Sequence, residues 1–130
     1  MNRVELRALQ AAVAIGCLVP LAAGGVGMAL GPVMVGMDAS AAADSHYRYL
    51  SGLLFAIGIG FASTIPNIQT QGARFRLLTA LVVIGGLGRL ASLMEVGTAG
   101  MAMTLALVME LIVTPALALW QARVGRGGFA

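Results

Sequence analysis

Four runs of roughly 19 to 23 predominantly apolar residues, at positions 8–30, 47–65, 75–94 and 101–120, constrain this chain more than any other feature. At about 1.5 Å per helical residue, each is long enough to cross a hydrocarbon core of roughly 30 Å. Charged residues make up 10% of the sequence and the mean hydropathy is +0.93. A soluble domain carries roughly 25% charge, so this chain lacks the polar surface to cover a water-soluble globule. The expected fold is all-α and membrane-integral, with four transmembrane helices in an antiparallel up-and-down bundle and one domain over residues 1–130.

Turn-forming residues separate the runs: Gly31-Pro32 through Ser45, Pro66-Asn67 through Gly72, and Glu95 through Gly100. Small residues recur at four-residue spacing, with Gly16 and Gly24 in the first run and Gly52, Ala56 and Gly60 in the second. Such rows let helix backbones approach closely in lipid, so these five positions are the expected packing faces. Pro20 and Pro115 fall inside runs and are expected to bend them.

All eight basic residues are arginines, and the net charge is +3. Arg3 and Arg7 precede the first run, Arg74 and Arg76 lie between the second and third, and Arg123 and Arg126 follow the fourth. All six fall on one side of a four-span path. The positive-inside rule then places both termini in the cytoplasm of a multi-pass protein of the bacterial inner membrane. Arginines at span ends are a topology pattern, and no nucleic-acid partner is expected.

Cys17 is the single cysteine, which excludes an intrachain disulfide or a CxxC pair. The charged start and the small residues Ala22-Ala23-Gly24 also fit a cleaved signal peptide, so that alternative for the first run stays open.

Two ionisable residues lie well inside runs. Arg89 is about 7 to 8 Å from the outer end of the third span, and Glu110 is about 13 to 14 Å from that of the fourth. Each charge in hydrocarbon costs about 2.5 to 3.5 kcal/mol, so the two are expected to pair across adjacent antiparallel helices. His46, Tyr47, Arg48 and Ser51 at the outer end of the second span, with Ser92 and Glu95 on the third, are expected at the same level. Three readings of this cluster stand together: a structural ion-pair network, a pocket for an anionic or lipid-like ligand, and proton coupling through Glu110.

Other chemistries fail on inventory. One histidine cannot supply bis-histidine haem or an ordinary zinc site, and the absence of lysine excludes a phosphate loop of the usual type. No catalytic residues, metal or cofactor are expected. Ser45 is read as a cap for the second span.

The segments Tyr47-Arg48-Tyr49-Leu50-Ser51-Gly52, Arg74-Phe75-Arg76-Leu77-Leu78 and Gly85-Gly86-Leu87-Gly88-Arg89-Leu90-x-Ser92, with Glu110 and Pro115, resemble an uncharacterised bacterial family of small four-span membrane proteins, a domain of unknown function. That resemblance implies fold and location. A looser similarity in size and span number to DoxX-like membrane proteins implies an accessory subunit of a quinone-linked membrane complex. The four-helix multidrug transporters are similar in size, but their essential carboxylate lies in the first helix, where this chain has none. The expected partners are membrane lipids, with a homo-oligomer or a larger complex as further possibilities. The expected function is non-catalytic ligand binding or an accessory role, with a small proton-coupled transporter using Glu110 as the alternative.

Overall fold

The chain is helical because its apolar runs are interrupted only at glycine, proline and capping residues. The computed structural model describes residues 2–127, and no strand occurs among them. Helix α1 covers Arg3–Leu30 and continues into a 3-10 turn at Gly31–Val35. Helix α2 covers Ala41–Thr64 and is followed by a 3-10 turn at Ile65–Thr70. Helix α3 covers Gly72–Val96. The last apolar run forms α4 (Met101–Val108), a π turn (Met109–Val113) and α5 (Thr114–Gly127). Among the described residues, four helical segments are thus long and apolar enough to cross a membrane.

The helices outrun the apolar segments. Helix α2 begins well before Tyr47 because Ser40 caps it, its hydroxyl accepting from the Ala43 N–H at 3.2 Å. Ser45 therefore lies inside the helix, not at its start, which corrects its reading as the cap. Pro20 sits within an unbroken α1. Pro115, in contrast, follows a change of helix type. Proline lacks an N–H and its ring collides with the carbonyl four residues earlier, and a wider turn relieves both problems. Here the Thr114 N–H reaches back to the Met109 carbonyl, and the Thr114 hydroxyl donates to the same oxygen at 2.7 Å.

The chain divides into two compact units. One spans Gln10–Ile65 and contains most of α1 together with α2. Its helices meet at glycines on α1: a Cβ on Gly24 would lie 2.6 Å from the Phe55 nitrogen and 2.7 Å from the Ser51 carbonyl oxygen. Gly58 on α2 meets Leu21 in the same way. The Gln10 side chain donates to the Ile65 carbonyl at 2.7 Å.

The other unit comprises the residues up to Leu9 and those from Pro66 onward. In it α3 packs along the α4–π–α5 rod. Phe75, Ile68 and Gln121 are buried at one end, where the Gln121 amide donates to the Ile68 carbonyl at 2.8 Å. Glu5 accepts there from the Trp120 indole at 3.2 Å and lies 3.3 Å from the Arg123 guanidinium.

Large apolar side chains stay exposed along every span, among them Ile15, Ile59, Ile84 and Leu119. At about 25 cal/mol per Å² such surface is strongly unfavourable in water and neutral in lipid.

Candidate functional site

Gly86 and Arg89 are three residues apart on α3 and share a face. Gly86 is buried, and a Cβ there would lie 2.8 Å from Leu111 Cδ2 and 2.9 Å from Glu110 Cβ. The absence of a side chain at Gly86 therefore sets how closely α3 meets the π turn. That approach brings Glu110 under Arg89, one turn further along α3.

The two charges form a fork. Arg89 Nε donates to Glu110 Oε2 at 3.0 Å, and Nη2 donates to Oε1 at 3.1 Å. Paired parallel bonds of this kind combine charge with fixed geometry, which a lysine cannot reproduce. The third guanidinium nitrogen, Nη1, donates to the Met103 sulfur at 2.9 Å. A thioether is a weak acceptor, so this N–H is the least satisfied of the three. The Arg89 and Glu110 side chains keep 34% and 18% of their exposure, so the pair is partly shielded.

Beside Arg89 opens a cavity of about 350 Å³. Gly85, Arg89 and Ser92 line it at positions i, i+4 and i+7 of α3, and Met103, Thr104 and Leu107 line it from α4. Gly97 and Ala99 line it from the connecting loop. That loop turns on Gly97 and Gly100, at φ of +94° and +102°, values that residues with a Cβ rarely adopt. The Thr104 hydroxyl donates to the Gly100 carbonyl at 3.1 Å and retains its acceptor lone pairs. A Cβ on Gly85 would meet nothing within 4 Å, so the cavity owes part of its volume to that missing side chain.

The other residues of the expected cluster have these surroundings. His46, Tyr47, Arg48 and Ser51 belong to the unit spanning Gln10–Ile65. There Arg48 donates through Nε to Asp44 at 2.9 Å and through Nη1 to the Met28 and Ala29 carbonyls at 2.7 and 2.9 Å. These carbonyls lie in the last turn of α1, so the Arg48 guanidinium caps the C-terminus of that helix. Gly31 follows, buried at φ +68° with Asp44 and Arg48 against it, and only glycine suits both the dihedral and the space. Tyr47 donates to the Met34 sulfur at 3.8 Å, and His46 is exposed. Ser51 is buried against Gly27 in the α1–α2 contact. Glu95 is exposed near the end of α3.

Among the small residues expected to pack, Gly24 makes the backbone contact described above, and Gly52 faces the Met28 side chain. Ala56 is exposed, and Gly16 and Gly60 are half-buried. Gly27, Gly31, Gly58 and Gly86 make close contacts that the four-residue spacing does not single out. Among the described residues no three His, Cys, Asp or Glu side chains are grouped as a metal ion would require.

Residues 8–121 match the family described as Domain of unknown function (DUF4345), and the chain belongs to that family. No curated protein and no solved structure matches it.

Proposed function

We propose that this DUF4345 member is a non-catalytic, multi-pass membrane protein that binds a small lipid-like or anionic molecule in the cavity beside Arg89. The observation that carries this reading is the combination of a cavity, one partly satisfied guanidinium and two hydroxyl side chains, Ser92 and Thr104, within an otherwise apolar lining. Ligand sites have this composition: mostly apolar walls with a few convergent polar groups. The six arginines at span ends favour the bacterial inner membrane with cytoplasmic termini, which would put the cavity in the outer half.

Gly85→Leu is the direct test. It fills the cavity from a position with open space around it, and leucine is a better helix former than glycine. Native mass spectrometry of protein released gently from its membrane should show a copurifying small molecule that the variant lacks. An equal load on both proteins would remove the cavity from consideration.

A proton-coupled transporter built on Glu110 fits the geometry less well. Glu110 is held by Arg89 through both carboxylate oxygens, which favours a fixed pair over a group that cycles its charge. An accessory-subunit role is the other reading. Pull-down of a constant partner by both wild type and Gly85→Leu would favour it.

A further inference from the structure

We infer that the cavity's ligand is an uncharged amphiphile whose head presents a carbonyl oxygen, an ester or ketone lipid, and not an anion. This rests on the reading of the cavity as a binding site and specifies its chemistry. Among the described residues Arg89 is the only charged one in the lining, and its charge is already matched by Glu110 through two hydrogen bonds. An anion brought to Arg89 would meet the Glu110 carboxylate on the same guanidinium. That carboxylate cancels part of the attraction to Arg89, so in a partly shielded site the remaining N–H groups do not repay the hydration that a full charge loses. A cation fares no better, since the Glu110 charge is already matched and Arg89 repels it.

A neutral acceptor is what the remaining polarity suits. Three of the guanidinium's N–H groups are directed at protein acceptors, one of them the Met103 sulfur. A carbonyl oxygen is a stronger acceptor than a thioether and would draw the Nη1 N–H from Met103 without disturbing the fork to Glu110. Leu93, Leu107 and Met103 supply apolar contact for the first carbons beyond such a head. At about 350 Å³ the space is at the small end for ligand sites, so it takes a head group and leaves the acyl tail in the bilayer.

The experiment compares two probes on the purified full-length protein in a nonionic detergent by titration calorimetry: dioctanoylglycerol, which is neutral with ester carbonyls, and laurate, an anion. The expected result is binding of dioctanoylglycerol at least tenfold tighter than laurate, reduced at least tenfold by Gly85→Leu. Glu110→Gln removes the carboxylate charge with little change of shape and should shift preference toward laurate by at least tenfold. If laurate binds wild type more tightly and Gly85→Leu abolishes it, the cavity reading stands and the neutral-ligand inference is overturned. If neither probe binds, or binding is indifferent to Gly85→Leu, both are overturned. Should Glu110→Gln not fold, the wild-type comparison of the two probes decides alone.

Discussion

Gly86 and Glu110 approach so closely that a single methyl group on the glycine would lie 2.9 Å from the Glu110 Cβ. The obstructing atom is anchored to backbone, so it cannot swing aside as the tip of a flexible side chain would. Gly85, the preceding residue, has no neighbour within 4 Å of the same position. Gly86→Ala should therefore lower stability by about 1–3 kcal/mol through overpacking. Gly85→Ala should be neutral or raise it by up to about 1 kcal/mol through helix propensity. Unfolding of both variants in one detergent separates them, and equal effects would mean that α3 is rotated from the position described.

The Arg89–Glu110 fork has a thermodynamic signature. Removing one partner strands the other in a partly shielded site, whereas removing both does not. Arg89→Leu and Glu110→Leu should each destabilise by less than the ~3–5 kcal/mol typical of a fully buried pair, because the side chains keep 34% and 18% exposure. The double variant should recover part of the loss, with a coupling of about 1–3 kcal/mol. Additive losses would show that the two residues act independently.

The four spans and this pair are legible in the sequence for the same reason: helical rise converts residue number into depth, and depth is enough to match two charges on neighbouring helices. Rotation about the helix axis is not encoded so simply. The segment Gly85-Gly86-Leu87-Gly88 signals close packing, yet of its three glycines Gly86 faces the neighbour, and nothing within the segment says which glycine that is. The acceptors of Arg48 are not legible in the sequence, because they are backbone carbonyls at the end of α1, which every residue carries and no side chain marks. The start of α2 at Ala41 escapes the hydropathy pattern because a helix capped by Ser40 continues beyond the apolar run.

The π turn ties Pro115 to the charge pair. Glu110 lies within it, and Thr114 closes it through two hydrogen bonds to the Met109 carbonyl. Pro115→Ala restores a donor and removes the ring, so the segment is free to return to α geometry. Losing the extra residue would rotate Glu110 relative to α5 by about 100°. The coupling between Arg89 and Glu110 should then fall below about 0.5 kcal/mol in the Pro115→Ala background. An unchanged coupling would mean that packing by Gly86 alone holds the carboxylate in place.

Arg48 offers a contrasting case, an arginine whose work is local. Arg48→Ala leaves the Met28 and Ala29 carbonyls without their donor and, as both bonds are exposed, should cost about 0.5–1.5 kcal/mol. Asp44→Asn removes only an ion pair with both side chains 40% exposed, which should cost no more than about 0.5 kcal/mol. Thermal unfolding checks the order. A larger effect from Asp44→Asn would place the weight on the ion pair and not on the cap.

The final prediction concerns orientation, because under the positive-inside rule the arginine distribution would set which side of the membrane the cavity faces. Arg3, Arg7, Arg74, Arg76, Arg123 and Arg126 all fall at the same side of a four-span path, while the segment between α1 and α2 carries Asp38 and no arginine. A reporter active only in the cytoplasm should therefore report when fused after residue 130 and stay silent when inserted at positions 36–39. The reverse should hold for a reporter that requires an oxidising exterior. Charge can also be used as the variable. Asp38→Arg combined with Ala39→Arg adds two positive charges to the segment between α1 and α2, removes one negative charge, and leaves the Ser40 cap of α2 in place. That double change should divide the signal between compartments, since it weakens the asymmetry that sets the orientation. A uniform signal of the original sign would show that orientation is fixed by something other than arginine placement, and an external C-terminus in the wild type would turn the cavity toward the cytoplasm.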